Sequence, residues 1–126
     1  MNTHIHTGHY LGVFLSNKSS PKWHAWYAKT DDEKRATDEA GLAAVKAWDE
    51  KHKDQIVYAG GPLGPTKRTS EHGITDAVNE MTVFVVVRAA SHEAAAKLFE
   101  GHPHFTIFPC DCVDVMPLLA GPPPDA

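Results

Sequence analysis

The sequence predicts an α+β protein with a ferredoxin-like βαββαβ fold and a β-hairpin inserted after the second strand. Three observations lead to this fold class. Apolar runs typical of strands alternate with helical patterns, the run at 81–87 is rich in β-branched residues, and a short hairpin with a central glycine separates the middle strands. Helices then cover one face of the sheet only, so we expect a second copy of the chain to cover the other face in a homodimer.

The composition fits one compact domain spanning residues 1–126, of which 1–8 and 120–126 are expected to be flexible. The net charge of −4 gives no attraction for nucleic acid or for an anionic membrane surface. No apolar run approaches the roughly 20 residues that a membrane helix needs, and the first residues do not resemble a signal peptide. We therefore expect a cytoplasmic protein that binds neither nucleic acid nor membrane.

The first half of the chain reads as a strand followed by two helices. An apolar run predicts a strand at 10–15, and Ser20 with Pro21 predicts the start of a short helix. The pattern from Thr30 to Glu33 is a capping box, which begins a longer helical pattern that continues towards Lys53. Gly41 is a potential break in that helix.

The second half supplies the other three strands and one more helix. A strand is predicted at 56–59, a hairpin at 66–77, a central strand at 81–87 and a final strand at 112–116. Ser91 is expected to cap a helix at 92–100. Between the second strand and the hairpin, the glycines and prolines of 60–65 predict an irregular turn whose backbone can approach a ligand closely.

The candidate site is the segment 101–112, which we expect to be a loop between a helix and a strand. His102 and His104 are the predicted catalytic residues, because an imidazole titrates near neutrality and can take or give a proton. Backbone N–H groups of Gly60 and Gly61 would hold the oxygen of an enolate. The alternative is structural: His102 caps the end of the preceding helix and His104 forms hydrogen bonds within the loop.

Further residues are predicted to contact a small-molecule ligand. Lys67 and Arg68 would meet an anionic group, and Asp111 would orient a histidine. The complete set of predicted ligand-binding residues is Gly60, Gly61, Pro62, Leu63, Lys67, Arg68 and Asp111.

A zinc site is a rival interpretation of the same segment. His102, His104, Cys110 and Cys112 are ligand types that zinc prefers, but their spacing matches no common zinc pattern. Either cysteine would be a nucleophile if a neighbouring histidine lowered its pKa. We predict reduced thiols, no metal and no cofactor.

Several of these motifs together resemble the YCII-related family, in its longer subgroup. The segments that carry the resemblance are Gly60-Gly61-Pro62-Leu63-Gly64, Thr66-Lys67-Arg68, the strand at 81–87, the run at 91–100 and the stretch at 101–109. The resemblance implies a ferredoxin-like fold, a dimeric α/β barrel and a small cofactor-independent enzyme of the muconolactone isomerase or dehydrochlorinase kind. It also implies a His/Asp dyad, from which this chain departs. Residues 42–45 contain no histidine, and His102 stands where the aspartate would fall.

We therefore expect a small dimeric enzyme that performs proton-transfer chemistry, such as isomerisation or elimination. Its substrate would be a small polar or anionic organic molecule, with His102 and His104 central to the reaction. The alternative is a non-catalytic module that binds a small ligand or a protein and in which the histidine-rich loop is structural.

Overall fold

A four-stranded antiparallel sheet forms the centre of the computed structural model, which describes residues 5–120. The strands are β1 (Ile5–Leu15), β2 (Ile56–Pro62), β5 (Met81–Arg88) and β6 (Cys112–Ala120), in the order β2-β5-β1-β6. Between β2 and β5, a separate hairpin consists of β3 (Thr66–Ser70) and β4 (Gly73–Ala77). This arrangement confirms the predicted ferredoxin-like fold with an inserted hairpin, and β5 has the predicted interior position.

Four helices accompany the sheet: α1 (Pro21–Tyr27), α2 (Asp31–Lys51), α3 (His92–Leu98) and α4 (Pro103–Thr106). The predicted capping box begins α2, because the Glu33 N–H donates to Thr30 Oγ1 and the Thr30 N–H donates to Glu33 Oε1. Ser91 caps α3 as predicted by accepting a hydrogen bond of 3.0 Å from the Ala94 N–H. Local sequence signals therefore set where these two helices start.

The core lies between the sheet and the helices. Tyr10, Phe14, Val87 and Phe99 are each buried to within 1% of full burial. The rings of Phe14 and Phe99 meet edge to face, with their centroids 5.8 Å apart. Burial of each such side chain stabilises the fold by about 1.5–3 kcal/mol. Gly12 completes this packing, because a Cβ there would lie 2.8 Å from the Phe99 ring.

The structure corrects three sequence-based expectations. Gly41 does not break α2; it is buried inside the helix because the Phe108 ring lies against it. The segment 101–112 is not a plain loop, since Pro103 starts the short helix α4. Residues 60–62 belong to β2 and not to a turn. Pro62 is tolerated there because β2 is an edge strand.

The second face of the sheet is apolar as well. Side chains alternate along a strand, so the neighbours of the buried Val85 and Val87 point away from the helices. Val86 is half-buried on this face, and Met116 is 39% exposed. The helix side chains that pack against the core, such as those of Trp48 and Leu98, meet the face of the sheet that contains Tyr10, Phe14 and Val87.

Two remaining expectations concern the ends of the chain and membranes. The predicted flexible segments fall mostly outside the described residues, and residues 5–8 and Ala120 are strand ends of β1 and β6. In the range 5–120, no helix combines the length and the apolar character needed to cross a bilayer.

Candidate functional site

A cavity of about 290 Å³ lies between α2, the sheet and the segment 102–108. Its walls are mostly aliphatic and aromatic. Asp49, His102 and His104 are the titratable side chains that line it. The principal apolar walls are Phe14, Leu42, Val45, Trp48, Val83, Phe84, Val85 and Phe108. Such a cavity has the character of a small-molecule site, with a few polar groups in an apolar surround.

His102 is held rigidly at the inner wall of this cavity. Its side chain is the N-cap of α4, with Nδ1 accepting a 3.0 Å hydrogen bond from the His104 N–H. The ring is only 3% exposed and lies 4.7 Å from the Phe14 ring and 4.6 Å from the Trp48 ring. Because Nδ1 accepts, the neutral ring carries its proton on Nε2, where it is a hydrogen-bond donor.

Burial changes the protonation of both predicted catalytic histidines. Desolvation, aided by His104 and His52 nearby, lowers the pKa of His102 to about 3. Desolvation also lowers the pKa of His104. The pKa of each ring therefore lies below the ordinary value from which the sequence prediction started. His102 is a neutral donor at physiological pH and a poor base.

His102 does cap a helix, as the structural alternative predicted, but it caps the following helix and not the preceding one. The His102 side chain caps the start of α4, whereas its backbone N–H bonds to Phe99 O at the end of α3. His104 contributes its backbone to the same segment, since its carbonyl accepts from the Cys110 N–H. One residue thus combines a capping role with a place in the cavity wall.

His104 is half-buried and lies at the junction of two cavities. Its ring centroid is 4.7 Å from that of Phe14 and 4.8 Å from that of His102. Beyond it lies a second cavity of about 240 Å³, which Trp23 and Trp26 of α1 line together with His104. The His104 ring can therefore face ligands from two sides.

Asp49 is a functional candidate that the sequence reasoning missed. It belongs to α2, lines the first cavity and is exposed. Partial burial raises the pKa of its carboxyl, and His52 partly opposes that rise. A sequence signal existed. Asp49 is four residues after Val45 and seven after Leu42, so a carboxyl interrupts the apolar stripe of the helix.

Three predicted ligand-binding residues lie at the same cavity as the histidines: Gly60, Gly61 and Pro62. Gly60 adopts a φ of +64°, and a Cβ there would collide with the carbonyl oxygen of Phe84. Only glycine fits this close approach of β2 to β5, which brings backbone up to the cavity wall.

The other four predicted ligand-binding residues are elsewhere. Leu63 lines a different cleft. Lys67 and Arg68 lie on the exposed hairpin, where Lys67 pairs with Asp76. Asp111 accepts a 2.7 Å hydrogen bond from the Asn17 N–H and so anchors the loop after β1. None of them lines the cavity that contains His102.

The geometry gives no support to the zinc or thiol interpretations. Among residues 5–120, no three His, Cys, Asp or Glu side chains meet in a group suited to a metal ion. The Cys110 thiol donates to Leu15 O at 3.0 Å, and burial raises its pKa. Burial together with nearby carboxylates also raises the pKa of Cys112. A raised pKa disfavours the thiolate that nucleophilic chemistry requires.

Comparisons with known proteins give the fold a structural relative. No protein-family model matches the chain, and no curated protein sequence matches it. Among solved structures, the chain resembles 5-chloro-2-hydroxyhydroquinone dehydrochlorinase (TftG) from Burkholderia phenoliruptrix AC1100, in complex with 2,5-dihydroxybenzoquinone. The TM-score is 0.52 at 18% sequence identity, over 90% of this chain and 95% of that chain. At this identity the likeness shows a shared fold, and the chain is a ferredoxin-like α+β protein of the same architecture.

Proposed function

We propose that the chain is a small enzyme that catalyses proton transfer, of the isomerisation or elimination kind, on a ring-sized organic molecule. One observation carries the proposal: the imidazoles of His102 and His104 and the carboxyl of Asp49 line the same apolar cavity of about 290 Å³. Proton transfer needs a base, an acid and a donor for the developing oxygen charge, and these three groups can supply them.

The three side chains have different roles in this proposal. His104 accepts a proton from a carbon next to a carbonyl and becomes an imidazolium. The electron pair moves to the carbonyl oxygen, which the Nε2–H of His102 stabilises. In isomerisation, the electron pair returns from the oxygen as the protonated form of Asp49 gives its proton to another carbon, and the His104 imidazolium then returns a proton to the Asp49 carboxylate by way of water. In elimination, the electron pair returns to form a carbon–carbon double bond, the bond from the neighbouring carbon to the leaving group breaks, the leaving group departs as an anion, and His104 releases its proton to water.

The cavity favours a flat ring that packs against apolar side chains, with its oxygen substituents directed at the few polar groups. Neither lysine nor arginine lines it, and its larger apolar lining residues are Phe14, Leu42, Val45, Trp48, Val83, Phe84, Val85 and Phe108. The quinone bound in the dehydrochlorinase of similar fold is also a single ring with oxygen substituents. A six-membered ring with one or more carbonyl or hydroxyl groups is the substrate class that we infer.

The first experiment measures proton transfer without knowledge of the natural substrate. 2,5-Dihydroxybenzoquinone is dissolved in D₂O with the protein, and the loss of its ring C–H signal is followed by NMR. We expect faster exchange with the protein, reduced about 10²-fold or more in His104→Ala and Asp49→Asn. Glu50→Gln is the matched control, because Glu50 is the exposed neighbour of Asp49 and pairs with Lys53.

Two outcomes count against catalysis. Exchange no faster than in buffer would exclude this probe as a substrate analogue, and equal rates in wild type and both variants would assign the exchange to something other than the site. A measured affinity for the probe without exchange supports the second candidate function, a non-catalytic ligand-binding module. The observation that favours this alternative is the structural role of His102 as the N-cap of α4.

We further propose that the chain belongs to the YCII-related family and forms a homodimer through the second face of its sheet. The motifs of residues 60–68 and 91–109 support the family, and the apolar residues Val86 and Met116 support the interface. Val86→Glu is expected to halve the mass in solution measured by light scattering. Ile74→Glu on the exposed hairpin should leave that mass unchanged. A wild-type monomer would contradict the dimer.

A further inference from the structure

The two cavities on either side of His104 share part of their walls. Val83, His104 and Phe108 line both of them. The Phe108 ring is 5.9 Å from the His104 ring, so one aromatic pair stands between the two spaces. The cavities therefore adjoin each other directly, and a ligand in one is next to the other.

The second cavity offers aromatic surface and few free polar groups. The Trp23 Nε1–H donates to Ser16 Oγ, and Ser16 Oγ donates in turn to Pro109 O at 3.1 Å. The Thr82 hydroxyl donates to Phe14 O at 3.0 Å. Asp38 is the carboxylate in its wall and is exposed. Since the Ser16 and Thr82 hydroxyl protons and the Trp23 indole proton are engaged within the protein, most of the surface left for a ligand is apolar.

The helix α1 forms the outer wall of this cavity and is not part of the core. No residue of α1 is buried, and both of its tryptophans are half-exposed. The helix is tied down by Trp23 and by Lys22 Nζ, which donates to Phe105 O and to Cys110 O at 2.9 Å. Two large, half-exposed aromatic side chains are thus held beside the cavity, which is typical of a binding surface.

Gly41 allows the Phe108 ring to lie between the two cavities. A Cβ on Gly41 would collide with the Phe108 ring, so the glycine allows Phe108 to rest flush against α2. The ring then separates the two cavities without filling either of them. The buried Gly41 of α2 therefore helps to keep the two cavities separate, because it lets the Phe108 ring lie between them.

We propose that the two cavities form one site with two compartments and that its ligand has two parts. The oxygen-bearing ring occupies the compartment of Asp49 and His102, and an aromatic or branched apolar substituent occupies the compartment of Trp23 and Trp26. The inference rests on the proposed function, whose substrate class it narrows to a substituted ring.

Two probes and two variants test this inference. The probes are 2,5-dihydroxybenzoquinone and its 3-phenyl derivative, and their affinities are measured by calorimetry. Trp26→Ala is expected to weaken the phenyl probe about tenfold or more and to leave the parent probe within about twofold. His24→Ala, on an exposed position of the same helix, should change neither affinity. Melting temperatures show that each variant is folded.

The outcomes separate the two proposals. If Trp26→Ala weakens both probes equally, or neither, the second compartment is wrong while the proton-transfer site stands. If the phenyl derivative fails to bind where the parent binds, the two-part ligand is also excluded. If neither probe binds wild-type protein, both proposals are contradicted. Trp26→Phe tests whether the aromatic ring itself matters, because phenylalanine at this position should recover part of the affinity that Trp26→Ala loses.

Discussion

The Phe14 ring borders two regions that are packed differently. It meets Phe99 within a fully buried core that includes Tyr10 and Val87. It also meets the rings of His102 and His104 beside a cavity. The same β1 residue therefore supports the fold and borders the candidate site. Stability is concentrated where packing is complete, and chemistry becomes possible where packing stops.

The largest expected effect on stability comes from removing the Phe14 ring, which borders both the core and the cavity. Phe14→Ala should reduce the free energy of unfolding by about 3–5 kcal/mol, since it empties a fully buried aromatic position. Phe108→Ala should cost about 1–2 kcal/mol, because Phe108 is half-buried at the cavity wall. Urea unfolding at one fixed protein concentration measures both. Equal losses would contradict the contrast between core and cavity.

A pH-dependent effect should follow from the buried His102. Its ordinary pKa of 6.5 falls to about 3 in the folded chain, so between these values the unfolded chain binds a proton that the folded chain does not. Stability is then fully present above pH 6.5 and falls as the pH is lowered, by about 1.4 kcal/mol per pH unit from this group.

The matched variant for this effect is His102→Asn. Asparagine is a good N-cap acceptor for the His104 N–H and does not titrate. Unfolding free energies from pH 7 to pH 4 should therefore decline less steeply in the variant than in wild type. Identical slopes would mean that His102 is not buried as a neutral ring.

Gly41→Ala should have a smaller effect of mixed origin. Alanine favours a helix interior over glycine by about 1 kcal/mol, but its Cβ would collide with Phe108 and overpacking costs about 1–3 kcal/mol. We expect a net loss of about 1 kcal/mol. In a Phe108→Ala background the collision is absent, so the same substitution should become stabilising. A loss of equal size in both backgrounds would disprove the contact between Gly41 and Phe108.

The smallest expected effect is on the hairpin, which lies far from this contrast. Lys67 forms an exposed ion pair with Asp76, and such pairs contribute about 0–1 kcal/mol. Lys67→Ala should change the free energy of unfolding by less than about 0.5 kcal/mol and leave the affinity for 2,5-dihydroxybenzoquinone unchanged. A loss of affinity would indicate that Lys67 contacts the ligand, as the sequence predicts.

The sequence by itself determined the order of the strands and the starts of α1, α2 and α3, whereas α4 was not predicted. Thr30 and Ser91 cap helices through backbone groups three residues away. The run at 81–87 forms an interior strand because it is β-branched and almost entirely apolar. These signals are local, so they can be read without knowing which other segments lie nearby.

Only the tertiary structure decided what the site residues are. Trp48 and His102 are far apart in the chain, yet their contact helps to bury the imidazole and to keep it neutral. The place of Asp49 at the cavity and the separation of Lys67 from the histidines likewise depend on how distant segments meet. Burial, pKa and cavity walls arise from contacts across the fold, because desolvation depends on everything around a group and not on its neighbours in sequence.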